Sequence, residues 1–164
     1  MDTSKELRNE LWGLLSRDND HYGHIHNDPN VWEAGRLLAA TLDGEQLRQA
    51  WIVPKDNDDE RSGGVLYVLT DRLVASTAYG EGVRMSADLA PLVLDRLTLT
   101  PAWEQLMFDD SRLRSWSVRA ERADAEPLEF RLEYPRGGWN KDAAAAEEAR
   151  IGGILALLRS RIGA

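Results

Sequence analysis

The spacing of apolar and polar positions changes character twice along the chain. Leu7, Leu11, Leu14 and Leu15 recur at three- and four-residue steps, with Lys5, Arg8, Asn9 and Glu10 on the other faces. That is the stripe of an amphipathic helix, and Thr3 with Glu6 has capping-box spacing at its start. Residues 16–28 (SRDNDHYGHIHND) lose the period and collect turn formers, which predicts a loop. A second helix is predicted from Asp28 as N-cap and Pro29 at the first helical position, where the missing N–H costs nothing. Val31, Ala34, Leu37, Leu38 and Leu42 form its apolar face, and Asp43-Gly44 supplies a left-handed stop.

The period then falls from 3.6 to 2. Residues 49–53 (QAWIV), 65–70 (VLYVLT) and 73–79 (LVASTAY) read as strands, the last two joined by a two-residue Asp71-Arg72 turn. Between the first two, residues 54–64 read as a polar loop. Residues 83–85 suggest a short strand, and Ser86 a cap for one helical turn with Pro91 near it. Residues 96–100 alternate like a strand, while 101–108 are read as a helical turn capped by Thr100. Two further strands follow. In 113–121 Trp116 and Val118 favour the buried face, and in 128–134 Leu128, Phe130, Leu132 and Tyr134 face inward, with 123–127 as the connecting loop. After Gly137-Gly138 a long helix starts at Asn140 or Lys141-Asp142. Its stripe is Ile151, Ile154, Leu155, Leu158 and Ile162, interrupted by Gly152-Gly153, whose structural use would be close approach to a strand.

These elements predict one α+β domain over residues 1–164: two N-terminal helices within 1–44, antiparallel strands within 45–136 and a C-terminal amphipathic helix within 137–164. Strands in a run followed by one helix suggest a half-open β-barrel or sandwich capped by that helix. Leu42-Asp-Gly-Glu45, an apolar strand, and then Gly63-Gly-Val-Leu-Tyr-Val-Leu-Thr-Asp-Arg-Leu73 resemble the opening of bacterial pleckstrin-homology-like (PH/GRAM-like) domains. The resemblance spans about residues 36–162, with its motif confined to 42–73. One arginine stands where two are usual, and 86–110 is longer than such domains have there. The resemblance implies an interaction or scaffolding domain and no enzymatic activity.

Composition narrows the partner. Acids outnumber bases 28 to 20, a formal charge of -8, which argues against nucleic acid and anionic membranes. The predicted first hairpin sets Asp56, Asp58, Asp59 and Glu60 against Lys55 and Arg61, a poor cradle for a phosphorylated head group. No apolar run approaches a membrane span and no leader is visible, so a cytoplasmic location is expected. Seventeen of the 20 basic residues are arginine, a bias that fits a GC-rich bacterial source. With no cysteine, disulfides and thiolate chemistry are excluded. Six tryptophans (12, 32, 51, 103, 116, 139) are expected mainly in the core, with one or two available to an interface.

The sharpest chemical constellation is His21-Tyr-Gly-His24-Ile-His26, flanked by Asp18, Asp20 and Asp28. Imidazoles and carboxylates suit zinc or nickel, yet the spacing matches no established zinc motif, so solvated loop histidines are the preferred reading. Residues 56–60 have some calcium-loop character without the glycine and distant glutamate of an EF-hand, and a solvated hairpin tip is expected. Arg112, Arg114, Arg119, Arg122 and Arg131 concentrate on the late strands, where Glu121, Glu129 and Glu133 are expected to pair with them. No catalytic residue and no cofactor are assigned. The expectation is a non-enzymatic interaction module for a protein or peptide partner. The alternatives are a metal-binding protein using His21, His24 and His26, or a small acidic secretion-type chaperone, which would be an obligate dimer.

Overall fold

The computed structural model describes residues 3–16, 28–56, 59–106, 111–135 and 140–164. Its contacts group into two compact units, Met1–Leu92 and Val93–Ala164. The class is α+β, with two antiparallel sheets, neither of which closes on itself, and three helices among the described residues.

In the first unit, α1 (Thr3–Ser16) and α2 (Pro29–Thr41) precede a four-stranded sheet. Its strands are β1 (Leu47–Asp56), β2 (Asp59–Thr70), β3 (Leu73–Tyr79) and β4 (Asp88–Pro91), in the spatial order β1-β2-β3-β4. Asp28 caps α2 as expected, with extended backbone and its side chain accepting from the Asn30 N–H at 2.9 Å. Leu7, Leu11, Leu14 and Leu15 of α1 share one core with Val31, Ala34 and Leu38 of α2, with Leu42, and with Ala50, Ile52, Leu66, Val68 and Ala75 of the sheet. Burying each large aliphatic side chain contributes roughly 1.5–3 kcal/mol. The two helices meet where Gly35 leaves room for Trp12, whose ring lies tilted against Trp32 at 4.3 Å.

The motif residues 42–73 have structural employment. Thr70 Oγ1 accepts from the Leu73 N–H at 2.9 Å and from the Arg72 N–H at 3.3 Å, closing the two-residue β2–β3 turn. Arg72 then donates to Glu45 at 2.5 and 2.9 Å, and Arg48 donates to Asp71 at 2.5 Å. The hydrogen bond to Glu45, with its charge, holds the Arg72 pKa above its ordinary value. The segment after α2 is thus tied to the β2–β3 turn by two ion pairs. Gly63, at φ +119, adopts a backbone that side-chained residues avoid, and Gly64 sits against the Val53 carbonyl of β1.

The second unit has a three-stranded sheet in the order β5-β6-β7, built from β5 (Arg96–Gln105), β6 (Ser111–Arg122) and β7 (Ala125–Glu133), followed by α3 (Lys141–Ser160). Asn140 is the N-cap, accepting from the N–H groups of Asp142 and Ala143 at 2.8 and 3.1 Å. Val118, Leu128, Phe130 and Leu132 on the strands are buried, as are Ile151, Ile154 and Leu158 on α3. The C-terminal end of α3 is held by Leu94, which donates to the Arg161 carbonyl at 3.0 Å and accepts from the Gly163 N–H at 2.9 Å.

Several expectations are corrected. The polar loop expected over 54–64 is mostly strand, because β1 runs to Asp56 and β2 starts at Asp59. Residues 83–85 form no strand, and no helical turn starts at Ser86, since 88–91 form β4 instead. The helical turn expected over 101–108 is strand as far as Gln105. Two of these segments, 54–64 and 101–108, open on a proline, and Pro91 lies near a third. Pro54, Pro91, Pro101 and Pro127 fall on β1, β4, β5 and β7, the four edge strands, while β2, β3 and β6 contain none. An edge strand has one side with no ladder to supply, so a missing N–H is tolerated there and discourages edge-to-edge pairing.

The stripe of α3 is also narrower than expected. Leu155 is half-buried, Ile162 lies beyond the helix and is exposed, and Glu147 is buried on the same helix as Ile151, Ile154 and Leu158. A Cβ added at Gly152 or Gly153 would meet nothing within 4 Å, so neither glycine serves a close approach. Among the described residues no helix is long and apolar enough to cross a membrane.

Candidate functional site

β6 runs between β5 and β7, so both of its edges are engaged. Its pairing with β5 slips once. Ala102 faces Ser115 and Trp103 faces Leu113, which leaves Arg114 as an extra residue on β6. This is a β-bulge, a feature that re-aims a side chain and is common beside binding sites. On the other edge the ladder continues, with the Arg114 carbonyl accepting from the Tyr134 N–H at 2.9 Å. Tyr134 is fixed in turn by its hydroxyl, which accepts from the Trp116 indole N–H at 3.2 Å.

An open pocket of about 210 Å³ lies at this bulge. Leu113, Tyr134 and Pro135 give it apolar surface, Arg112 and Arg114 its positive groups, and Glu104 and Glu148 its negative ones. Trp103, the cross-strand neighbour of Leu113, is 62% exposed, and Leu106 beyond it is also exposed.

The arginines of the late strands sort themselves by register. Arg112 is paired with Glu104 directly opposite on β5, at 2.8 Å. Arg119 is paired with Glu129 directly opposite on β7, and reaches Glu121 at 3.7 Å. Arg131 pairs with Glu133 at 3.0 Å, and Arg122 donates to the Glu126 carbonyl at 2.8 Å. Of the pairing expected across strands, Arg119 with Glu129 is present, whereas Arg131 with Glu133 and Arg119 with Glu121 pair along a single strand. Arg114 differs. It forms no ion pair among the described residues, and its Nε is shut off from solvent without a hydrogen-bond acceptor. The neighbouring Ser115 Oγ is likewise buried without a partner. An unsatisfied buried donor costs about 1–3 kcal/mol, and more on a charged group.

His21, His24 and His26 lie outside the described residues. Among the described residues no group of three or more His, Asp or Glu side chains is placed to hold a metal ion. The acidic run 56–60 flanks the β1–β2 connection, its side chains also outside the described residues. Of the tryptophans, Trp12 and Trp51 are buried, the latter stacked on Tyr67 at 5.3 Å, Trp32 and Trp116 are half-buried, and Trp103 alone of the five described is exposed.

The bulge had no signature in the sequence. What was visible was the excess of five late-strand arginines over three expected glutamate partners. Charge is also divided unevenly between the units. Met1–Leu92 carries 16 acids against 9 bases, whereas Val93–Ala164 carries 12 against 11, so the acidity of the chain belongs to the first unit. No family model, no curated protein and no solved structure matches the chain.

Proposed function

We propose that this chain is a non-enzymatic, cytoplasmic interaction module of PH-like plan that binds a protein or peptide partner. The observation that carries the reading is the pocket at the β6 bulge, with its unsatisfied arginine and the exposed Trp103 beside it. Aromatic and arginine side chains are the residue types most enriched in protein interfaces. The order of elements supports the same reading: antiparallel strands in sequence order, then a single terminal helix, with the motif residues 42–73 employed as structural ties. Pro101 on β5 removes a ladder donor from that edge, so recognition falls to side chains in the pocket more than to strand addition.

The experiment is a selection from displayed random peptides, with the winners synthesised and titrated by fluorescence polarisation. Saturable binding that weakens at least tenfold in Trp103→Ala supports the module. Failure to select any peptide that binds the folded protein saturably would remove the reading.

A further inference from the structure

Resting on the reading of the chain as a peptide-binding module, we propose that the pocket at the β6 bulge is a receptor for a carboxylate, with Arg114 as its principal donor. Three separate observations meet on this residue. The register slip makes Arg114 the extra residue of β6. Its Nε–H has no acceptor, although Arg112, Arg119, Arg122 and Arg131 all have one. It lines an open pocket, so a group from outside meets the part of the Arg114 side chain that borders it, the Nε itself being closed to solvent. A guanidinium presents its donors in a planar fork that matches a carboxylate with two parallel hydrogen bonds.

The surrounding charges favour a monoanion over a phosphate. Arg112 is already neutralised by Glu104, and Glu148 contributes a second negative group to the lining. Both glutamates of the lining would repel a dianion more strongly than a monoanion. The apolar side is equally defined. Leu113, Tyr134 and Pro135 line the pocket, and the exposed Trp103 stands across from Leu113. An apolar side chain beside the carboxylate would cover these surfaces, so the ligand is an apolar residue next to an anionic oxygen pair. Two parts of a peptide offer that chemistry: a C-terminal apolar residue with its α-carboxylate, or an Asp or Glu side chain beside an apolar residue. Val93–Ala164 is itself near-neutral, with 12 acids against 11 bases, so the unit that holds the pocket adds little net repulsion toward such a ligand.

The test observes the Arg114 Nε–H resonance of the intact, ¹⁵N-labelled protein, because a donor sheltered from solvent exchanges slowly enough to be seen. The probes are N-acetyl-leucine, N-acetyl-leucinamide and inorganic phosphate, at matched ionic strength. The expected result is a saturable shift of this resonance with N-acetyl-leucine at millimolar concentration, at least tenfold weaker with the amide and with phosphate. Arg114→Lys, checked for unchanged melting, should lose most of the response, and Glu148→Gln should tighten it. No shift with the acid, equal shifts with acid and amide, or a stronger response to phosphate would each overturn the proposal. So would a Glu148→Gln protein in which the Arg114 resonance moves without ligand and melting drops, since Glu148 would then be the internal acceptor. For peptides taken from the displayed library, C-terminal amidation separates the α-carboxylate from Asp or Glu side chains, which are replaced by Asn or Gln in a second series. Peptides that bind but ignore both changes overturn the carboxylate receptor and leave the peptide-binding module standing.

Discussion

Two glycine-to-alanine substitutions should move stability in opposite directions. In Gly64→Ala the new methyl would lie 2.6 Å from the Val53 carbonyl oxygen and 3.0 Å from Pro54 Cα, with ordinary contact beginning near 3.4 Å. Both obstacles are backbone of the paired strand β1, held in register by Val53↔Val65 and Pro54↔Gly64. Relief requires the strands to separate locally. Overpacking of this kind costs about 1–3 kcal/mol, and the upper end applies where backbone must move. The lower entropy of the unfolded alanine chain returns about 0.4–1 kcal/mol, which leaves a net loss of about 2 kcal/mol. In Gly152→Ala the methyl meets nothing within 4 Å on an exposed helical position. There alanine should gain about 0.8–1 kcal/mol from helix propensity alone. Urea denaturation followed by circular dichroism reads both. With a slope of about 2 kcal/mol per molar, the midpoint should fall by about 1 M in the first variant and rise by about 0.4–0.5 M in the second. A Gly64→Ala midpoint at or above that of the parent would refute the close β1–β2 approach. A drop in Gly152→Ala would refute the open face of α3.

Leu158→Ala should cost about 2–5 kcal/mol and Leu155→Ala less than half as much, because Leu158 is fully buried and Leu155 half-buried; equal denaturant midpoints would contradict the placement of α3. Vesicles containing anionic lipid should fail to retain the protein at physiological salt, given the formal charge of -8, and co-sedimentation with phosphoinositide vesicles would contradict that. Zinc should produce no thermal shift in protein purified without an affinity tag. A rise of several degrees that is lost in His24→Ala and His26→Ala would promote the histidine loop to a metal site.

Helix positions were legible because their signals are local. Asp28 and Pro29, or Asn140 before the alanine run, announce a helix start within three residues, and the structure uses both caps. The strands 65–70 and 73–79 and their Asp71-Arg72 turn were equally local, since the alternation and the turn sit side by side in the chain. The loop expected over 54–64 and the helical turn expected over 101–108 both open on a proline, although a proline on an edge strand leaves the ladder intact. Whether a strand is an edge depends on which strands flank it, and that is a property of the sheet. The four edge prolines become informative only after the strand order is known. They then mark every edge of both sheets.

The candidate site illustrates the same divide at the level of one residue. Five arginines and five acids alternate over residues 111–134, so charge alone does not say which arginine lacks a partner. Which arginine is left over is decided by register. Arg112 meets Glu104 and Arg119 meets Glu129 because those residues fall directly opposite one another. Were β5 and β6 paired without a slip, the continuation of Ala102↔Ser115 would set Trp103 against Arg114 and Glu104 against Leu113. Arg112 would then lose its cross-strand carboxylate. The single extra residue therefore does two things together: it aligns Arg112 with Glu104, and it removes Arg114 from opposition to any residue of β5. Moving the bulge by one position along β6 would leave Arg112 against Glu104 and set Arg114 opposite Trp103 or Ala102, with composition unchanged. The free arginine is thus a consequence of where the bulge falls in the β5–β6 pairing, which only the paired strands reveal.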